Sequence, residues 1–158
     1  MNGIAKTLLI APWLLMLMAA PVLSVEVGDQ VPDFTVRTFA GDIVSRATLQ
    51  GHPTLLIFWN TWCPNCHREL PKIDRLTETF AAKNLQVLAV NTAFNDSESK
   101  ARAYWDKHRY PFPAGFDRTF ETGQAFGIRG VPTIFLIDAR GVVRYKQAVL
   151  PANPEQYL

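Results

Sequence analysis

The chain has 158 residues, enough for one domain with a real core and too few for two comfortable ones. It is 48% hydrophobic and 19% charged, and its formal net charge is +2. Lys and Arg are scattered among Asp and Glu without a basic run, which argues against nucleic acid as a partner, because phosphate binding needs clustered cations.

Lys6 is the only charge before Glu26. The intervening TLLIAPWLLMLMAAPVLSV is a 19-residue apolar stretch with small residues at Ala19, Ala20 and Ser24. A positive start, an apolar run and small residues read as an export signal, and the run is also long enough for a membrane anchor. We therefore expect 1–25 to be a signal peptide or N-terminal membrane anchor and 26–158 to be the domain. Both forms place the domain outside the cytoplasm, periplasmic or extracytoplasmic, and residues 7–25 would tie it to the inner membrane in the second.

Glu26 to Val31 is a polar lead-in. DFTVRT, 33–38, alternates like a strand, Ala40-Gly41-Asp42 is a turn, and Ile43-Val44 pairs back as a hairpin. Gly51-His52-Pro53 stops the chain. TLLIFW, 54–59, is continuously apolar, as a strand buried on both faces requires. A helix is predicted over about 64–82, with Leu70, Ile73, Leu76, Thr77 and Phe80 as its buried stripe and Pro71 as a kink. LQVLAVN, 85–91, is a second buried strand. Asn95-Asp96-Ser97 offers caps for a helix over about 98–109, with Ala101, Tyr104, Trp105 and His108 on one side. A short helix over 119–126 ends at Gly127. A strand at 134–138, a turn at Ala139-Arg140-Gly141 and a last strand at 142–149 complete the order. Asn153-Pro154-Glu155 starts a C-terminal helix that is short or missing. Strands alternating with helices imply a central mixed sheet with helices on both faces. Its first crossovers are parallel and its final pair antiparallel.

The only two cysteines, Cys63 and Cys66, stand where a buried strand meets a helix. A bridge across so short a loop removes little chain entropy, so a purely structural disulfide is a poor staple. At a helix N-terminus, with Pro64 in the first turn, unpaired N–H groups and the dipole favour the thiolate of Cys63. Cys66, one turn further in, is expected to be more buried and protonated. This asymmetry makes Cys63 the attacking thiol and Cys66 the resolving one.

CPNCH is also the pattern that attaches c-type haem. All three methionines lie in the leader, so the domain has no Met to serve as a sixth ligand. A zinc site lacks a second Cys pair, and His52 and His108 have no useful spacing. A likeness to the peroxiredoxins would imply a Thr three residues before the peroxidatic cysteine, where this chain has Asn60. A binding module using the same face without redox turnover, such as a thiol chaperone, stays open.

FWNTWCPNCHRELP resembles the active-site segment of thioredoxin-fold proteins, and GVPT, 130–133, resembles their cis-proline loop. Pro71 stands five residues after the second cysteine, as the family's helix-kinking proline does. The resemblance covers roughly 27–150 and implies an α/β thioredoxin fold with an extra N-terminal β-hairpin. It implies that Pro132 is cis and that Val131 presents backbone to a bound partner.

The leader, the hairpin begun by VGDQVPDFTV, the segment after Leu85 and Glu69 bring the chain near the TlpA/ResA-like thiol-disulfide reductases of cytochrome c maturation. That likeness implies protein disulfides as substrates, apocytochrome c among them, a membrane thiol electron donor, and no bound cofactor or metal. It places Glu69 beside the cysteines, to tune them or relay protons. Trp62, Pro64 and Asn65, around the CxxC turn, are expected to contact the partner. An oxidase or isomerase would use the same site. Thioredoxin has a buried Asp six residues before the first cysteine, and this chain has Ile57, so Asn60 or Glu69 would have to carry the proton through water. Pro-Asn between the cysteines lacks the His of strongly oxidising relatives, which favours a reducing or intermediate potential.

Overall fold

In the computed structural model, residues 24–158 are described. The expected export segment falls almost wholly outside them. Among the described residues, no helix is long and apolar enough to cross a membrane.

The two apolar runs form the middle of a five-stranded sheet. β3 (Thr54–Trp59) pairs in parallel with β4 (Gln86–Asn91) and antiparallel with β6 (Thr133–Ile137). With β5 (Ala114–Phe116) and β7 (Val143–Gln147) outside them, the strand order is β5-β4-β3-β6-β7. Every residue of β3 is buried, so the strand cannot alternate polar with apolar. Its side chains still alternate between two cores. Leu55, Ile57 and Trp59 face α2 (Pro64–Thr79) and α3 (Glu98–His108), while Leu56 and Phe58 face Phe34, Val36 and Phe126.

The two long helices thus share one face. The other is covered by the hairpin β1 (Thr35–Arg37) and β2 (Ile43–Ser45), the short helix α1 (Arg46–Leu49), and α4 (Glu121–Ala125). This is the expected thioredoxin-fold arrangement with its extra hairpin.

The lead-in is more ordered than a polar linker. Gly28 N–H donates to Val143 O (2.8 Å) and Val31 N–H to Gly141 O (2.9 Å), at the β7 side of the sheet. The chain then crosses the face, burying Val31, Phe34 and Val36. On the far side Phe39 N–H donates to Ala114 O (2.7 Å), and Thr38 bridges Gly115.

Two elements escape sequence reading. α1 is a single turn started by a capping box between Ser45 and Thr48. β5 is three residues long and contains Gly115, which carries no strand signal. The glycine is there because β1 crosses it: a Cβ would collide with Val36 Cγ1 and the Arg37 carbonyl. Boundaries also move. α2 stops at Thr79 and is followed by a 3-10 turn, Ala81–Lys83. α4 is shorter than 119–126, and the expected C-terminal helix is one 3-10 turn, Pro154–Tyr157. On the side of α3 shared by Ala101, Tyr104, Trp105 and His108, Ala101 and Trp105 are buried and His108 is exposed.

Candidate active site

β3 delivers the chain through Asn60-Thr61-Trp62 to α2. Cys63 is the N-cap residue of that helix, with extended backbone, and Pro64 follows in the first turn. The Cys63 sulfur accepts the Cys66 backbone N–H at 3.1 Å. A sulfur in that place receives one of the helix's unpaired donors and sits at the positive end of its dipole. The two cysteines form a disulfide, with Cα atoms 5.3 Å apart. Cys66 is fully buried and Cys63 is 3% exposed, so the expected order of burial holds while both sulfurs are largely covered.

The second strand of the site is β6. Its register sets Phe58 opposite Thr133, so the residues beyond, toward the CxxC turn on one side and back to Val131 on the other, leave the same end of the sheet. The Val131–Pro132 bond is cis. Between that loop and the CxxC turn lies a groove of about 520 Å³. Trp62, Phe94, Phe120 and Val131 supply apolar walls, and Arg118 and Arg129 add positive charge. Trp62 is 48% exposed and Phe94 64% exposed, large apolar surfaces left open beside a redox site. The Trp62 indole N–H donates to Phe94 O at 2.9 Å, and the two rings meet edge to face at 6.4 Å. Of the residues expected to meet a partner, Trp62 and Val131 line this groove. Pro64 and Asn65 are exposed on the first turn of α2, where Asn65 Oδ1 accepts from Arg68.

Beneath the turn lies a polar network. Asn60 Nδ2 donates to Asn91 Oδ1 (3.1 Å), and Thr92 Oγ1 donates to Asn60 Oδ1 (2.7 Å). Asn91 Nδ2 donates to Asp96 (2.8 Å). Burial opposes the charge of Asp96, but hydrogen bonds from Asn91, Thr61 and Ser97 outweigh it and hold the carboxyl below its ordinary range. Asn60 is fully buried and its side chain is committed to Asn91 and Thr92, making no hydrogen bond to either cysteine.

Glu69 is 4% exposed, buried for a helical carboxylate. It accepts from Lys72 Nζ (2.7 Å) and from the Leu150 backbone N–H (2.9 Å). Like that of Asn60, its side chain makes no hydrogen bond to a cysteine.

His67 is exposed. Its Nε2 donates to Thr61 O at 2.9 Å, and its ring stacks on Tyr104 at 5.0 Å. His108 also stacks on Tyr104, at 4.0 Å. Among the described residues, no group of three or more His, Cys, Asp or Glu side chains is placed to hold a metal. Sequence reading missed Phe94, Phe120, Arg118 and Arg129 in the groove, and it took Asp96 only as a cap. An aromatic in a loop between a buried strand and a capped helix was the one available signal, at Phe94.

The sequence matches the model of the AhpC/TSA family over residues 27–146. It is 33% identical over 123 residues to thioredoxin-like protein YneN of Bacillus subtilis, covering 77% of this chain and 71% of that one. It is 30% identical to thiol-disulfide oxidoreductase ResA of Halalkalibacterium halodurans, over 73% of this chain and 65% of the relative. A solved structure described as a thiol:disulfide interchange protein DsbE from Chlorobium tepidum superposes with a TM-score of 0.74 at 31% identity. That match covers 84% of this chain and 93% of that one. With a Cys63–Cys66 disulfide at the head of α2, the chain belongs to the AhpC/TSA family, as a thiol-disulfide oxidoreductase of the ResA and DsbE type.

Proposed function

We propose that this protein reduces disulfides in other exported proteins, with apocytochrome c among its targets, and is recharged by a membrane thiol donor. The observation that carries the reading is the Cys63 sulfur at the N-cap of α2, taking the Cys66 N–H beside an open apolar groove and the cis Val131–Pro132 peptide. In the reduced protein the Cys63 thiolate attacks one sulfur of a target disulfide and expels the other as a thiolate. Cys66 then loses its proton and attacks Cys63, breaking the mixed disulfide and releasing the target as a dithiol. The protein is left as the Cys63–Cys66 disulfide, and two electrons from the donor restore it.

The target lies extended along the groove. Val131 offers it backbone hydrogen bonds beside Pro132, and Trp62, Pro64 and Asn65 contact it from the CxxC side. Glu69, one helical turn past Cys66 and buried, tunes the deprotonation of that thiol. The export leader in residues 1–25 supports a periplasmic or extracytoplasmic site, tied to the inner membrane if the leader is retained.

The test is the reduction potential of the pair, measured by equilibration with glutathione or thioredoxin. The relevant scale runs from about −270 mV for thioredoxin to about −120 mV for a strong periplasmic oxidant. A value toward the thioredoxin end supports the reductase. A value at the oxidant end overturns that direction of flow and makes the protein a disulfide donor.

A further inference from the structure

The turn that carries Cys63 is held by a carboxylate that sequence reading took only as a helix cap. Asp96, in the loop between β4 and α3, takes four hydrogen bonds. One oxygen accepts the Thr61 backbone N–H (2.7 Å) and Asn91 Nδ2 (2.8 Å). The other accepts Thr61 Oγ1 (2.7 Å) and the Ser97 backbone N–H (2.9 Å). Thr61 stands two residues before Cys63. Its carbonyl is taken by His67 Nε2 (2.9 Å), so its N–H, hydroxyl and C=O are all engaged. The Cys63 N–H in turn donates to Asn60 O (3.3 Å), and Asn60 belongs to the same network through Asn91.

The benefit of a helix N-terminus to an anion falls off within one turn, so the thiolate depends on the sulfur staying at the N-cap. A carboxylate that takes both the N–H and the hydroxyl of Thr61, two residues upstream, is a direct means of keeping it there. We propose that Asp96 is a positioning residue for the redox reaction: through Thr61 it clamps the β3–α2 turn and keeps the Cys63 sulfur at the head of α2. The inference rests on the reading of Cys63 as the attacking thiol.

Two variants test it. In Asp96→Asn the NH2 must face the backbone N–H of either Thr61 or Ser97, so at least one of the four hydrogen bonds and the negative charge are lost without a change of size. In Thr61→Val one of the two clamp bonds is lost and no charge changes. Each reduced variant is alkylated with iodoacetamide across a pH series, the modified cysteine is identified by mass spectrometry, and folding is checked by circular dichroism.

Both variants are expected to react more slowly at pH 7, with the alkylation midpoint moved to higher pH. The loss is about threefold or more for Asp96→Asn, the equivalent of half a pKa unit, and smaller for Thr61→Val. Unchanged alkylation in both, with only a lower unfolding midpoint, would overturn the proposal and leave Asp96 as a loop brace. Faster reaction in Asp96→Asn alone would also overturn it, because Asp96 would then act through its charge. If Cys66 is the first residue modified in the parent protein, the assignment of Cys63 as the attacking thiol fails, and the inference fails with it.

Discussion

Glu69 separates a structural contact from a chemical one, because its two substitutions remove different things. In Glu69→Ala the Leu150 N–H loses its acceptor. An amide left without a partner costs about 1–3 kcal/mol, at the low end of about 1 kcal/mol for the half-buried Leu150, and the lost methylene packing adds about 1 kcal/mol. In Glu69→Gln the amide oxygen still serves Leu150, and what goes is the ion pair to Lys72. The Lys72 side chain is 47% exposed, so solvent screening leaves that pair about 0–1 kcal/mol.

The expected gap between the variants is therefore about 2 kcal/mol. With an m-value of about 2 kcal/mol/M in urea, Glu69→Ala unfolds about 1 M earlier than Glu69→Gln. Equal midpoints for the two would refute the hydrogen-bond assignment. The near-native stability of Glu69→Gln then exposes the charge alone. If the carboxylate tunes Cys66, release of a mixed disulfide formed at Cys63 slows in Glu69→Gln and shifts its pH dependence. A superimposable pH profile would reduce Glu69 to a tie between α2 and the C-terminal segment.

Gly115→Ala forces a Cβ against Val36 and the Arg37 carbonyl. It should cost about 1–3 kcal/mol in urea unfolding, because a backbone atom cannot swing aside. Trp62→Ala or Phe94→Ala should lower kcat/KM for a protein disulfide about tenfold, as loss of an aromatic anchor does, and much less for a small-molecule disulfide; equal losses on both substrates would deny the groove a docking role. The carboxyl of Asp138 is also held low: burial opposes its charge, but donors from Val142, Arg144 and Arg140 outweigh that. Asp96 and Asp138 thus add stability that is present above their ordinary value and lost as pH falls through their folded ones. Asp138→Asn should flatten the fall of the urea midpoint between about pH 5 and pH 2. Asp117 has the opposite sign. Burial raises it despite backbone donors from Gly123 and Thr122, so its contribution is lost as pH rises through its folded value.

What the sequence made legible follows from how local each signal is. TLLIFW and QVLAVN declare buried strands within six residues each. The CxxC turn and Val-Pro-Thr are compact motifs whose roles resemblance supplies. α1 and β5 are too short to show a period, and Gly115 makes sense only once β1 is seen lying on it. The clamp at Thr61 joins residues 35 positions apart, and the Glu69 tie to Leu150 joins residues 81 apart. No spacing within a helix or strand encodes such pairs. The groove divides the same way. Trp62 and Val131 were readable because each adjoins a motif, while Phe120 and Arg129 come from loops whose meeting place tertiary structure decides.

The lead-in and hairpin, laid across one face of the sheet, have a consequence for solubility. β7 and β5 are the outer strands, and an outer strand offers unpaired N–H and C=O groups to any passing chain. Residues 28–31 take up part of the exposed row on β7, and residues 38–39 take up part of that on β5. A single stretch of about a dozen residues therefore covers part of both margins at once. Proteolysis or truncation that frees it would uncover two sticky edges and the apolar face between them in one event. The oxidoreductase thus carries its own barrier against being stitched to another chain.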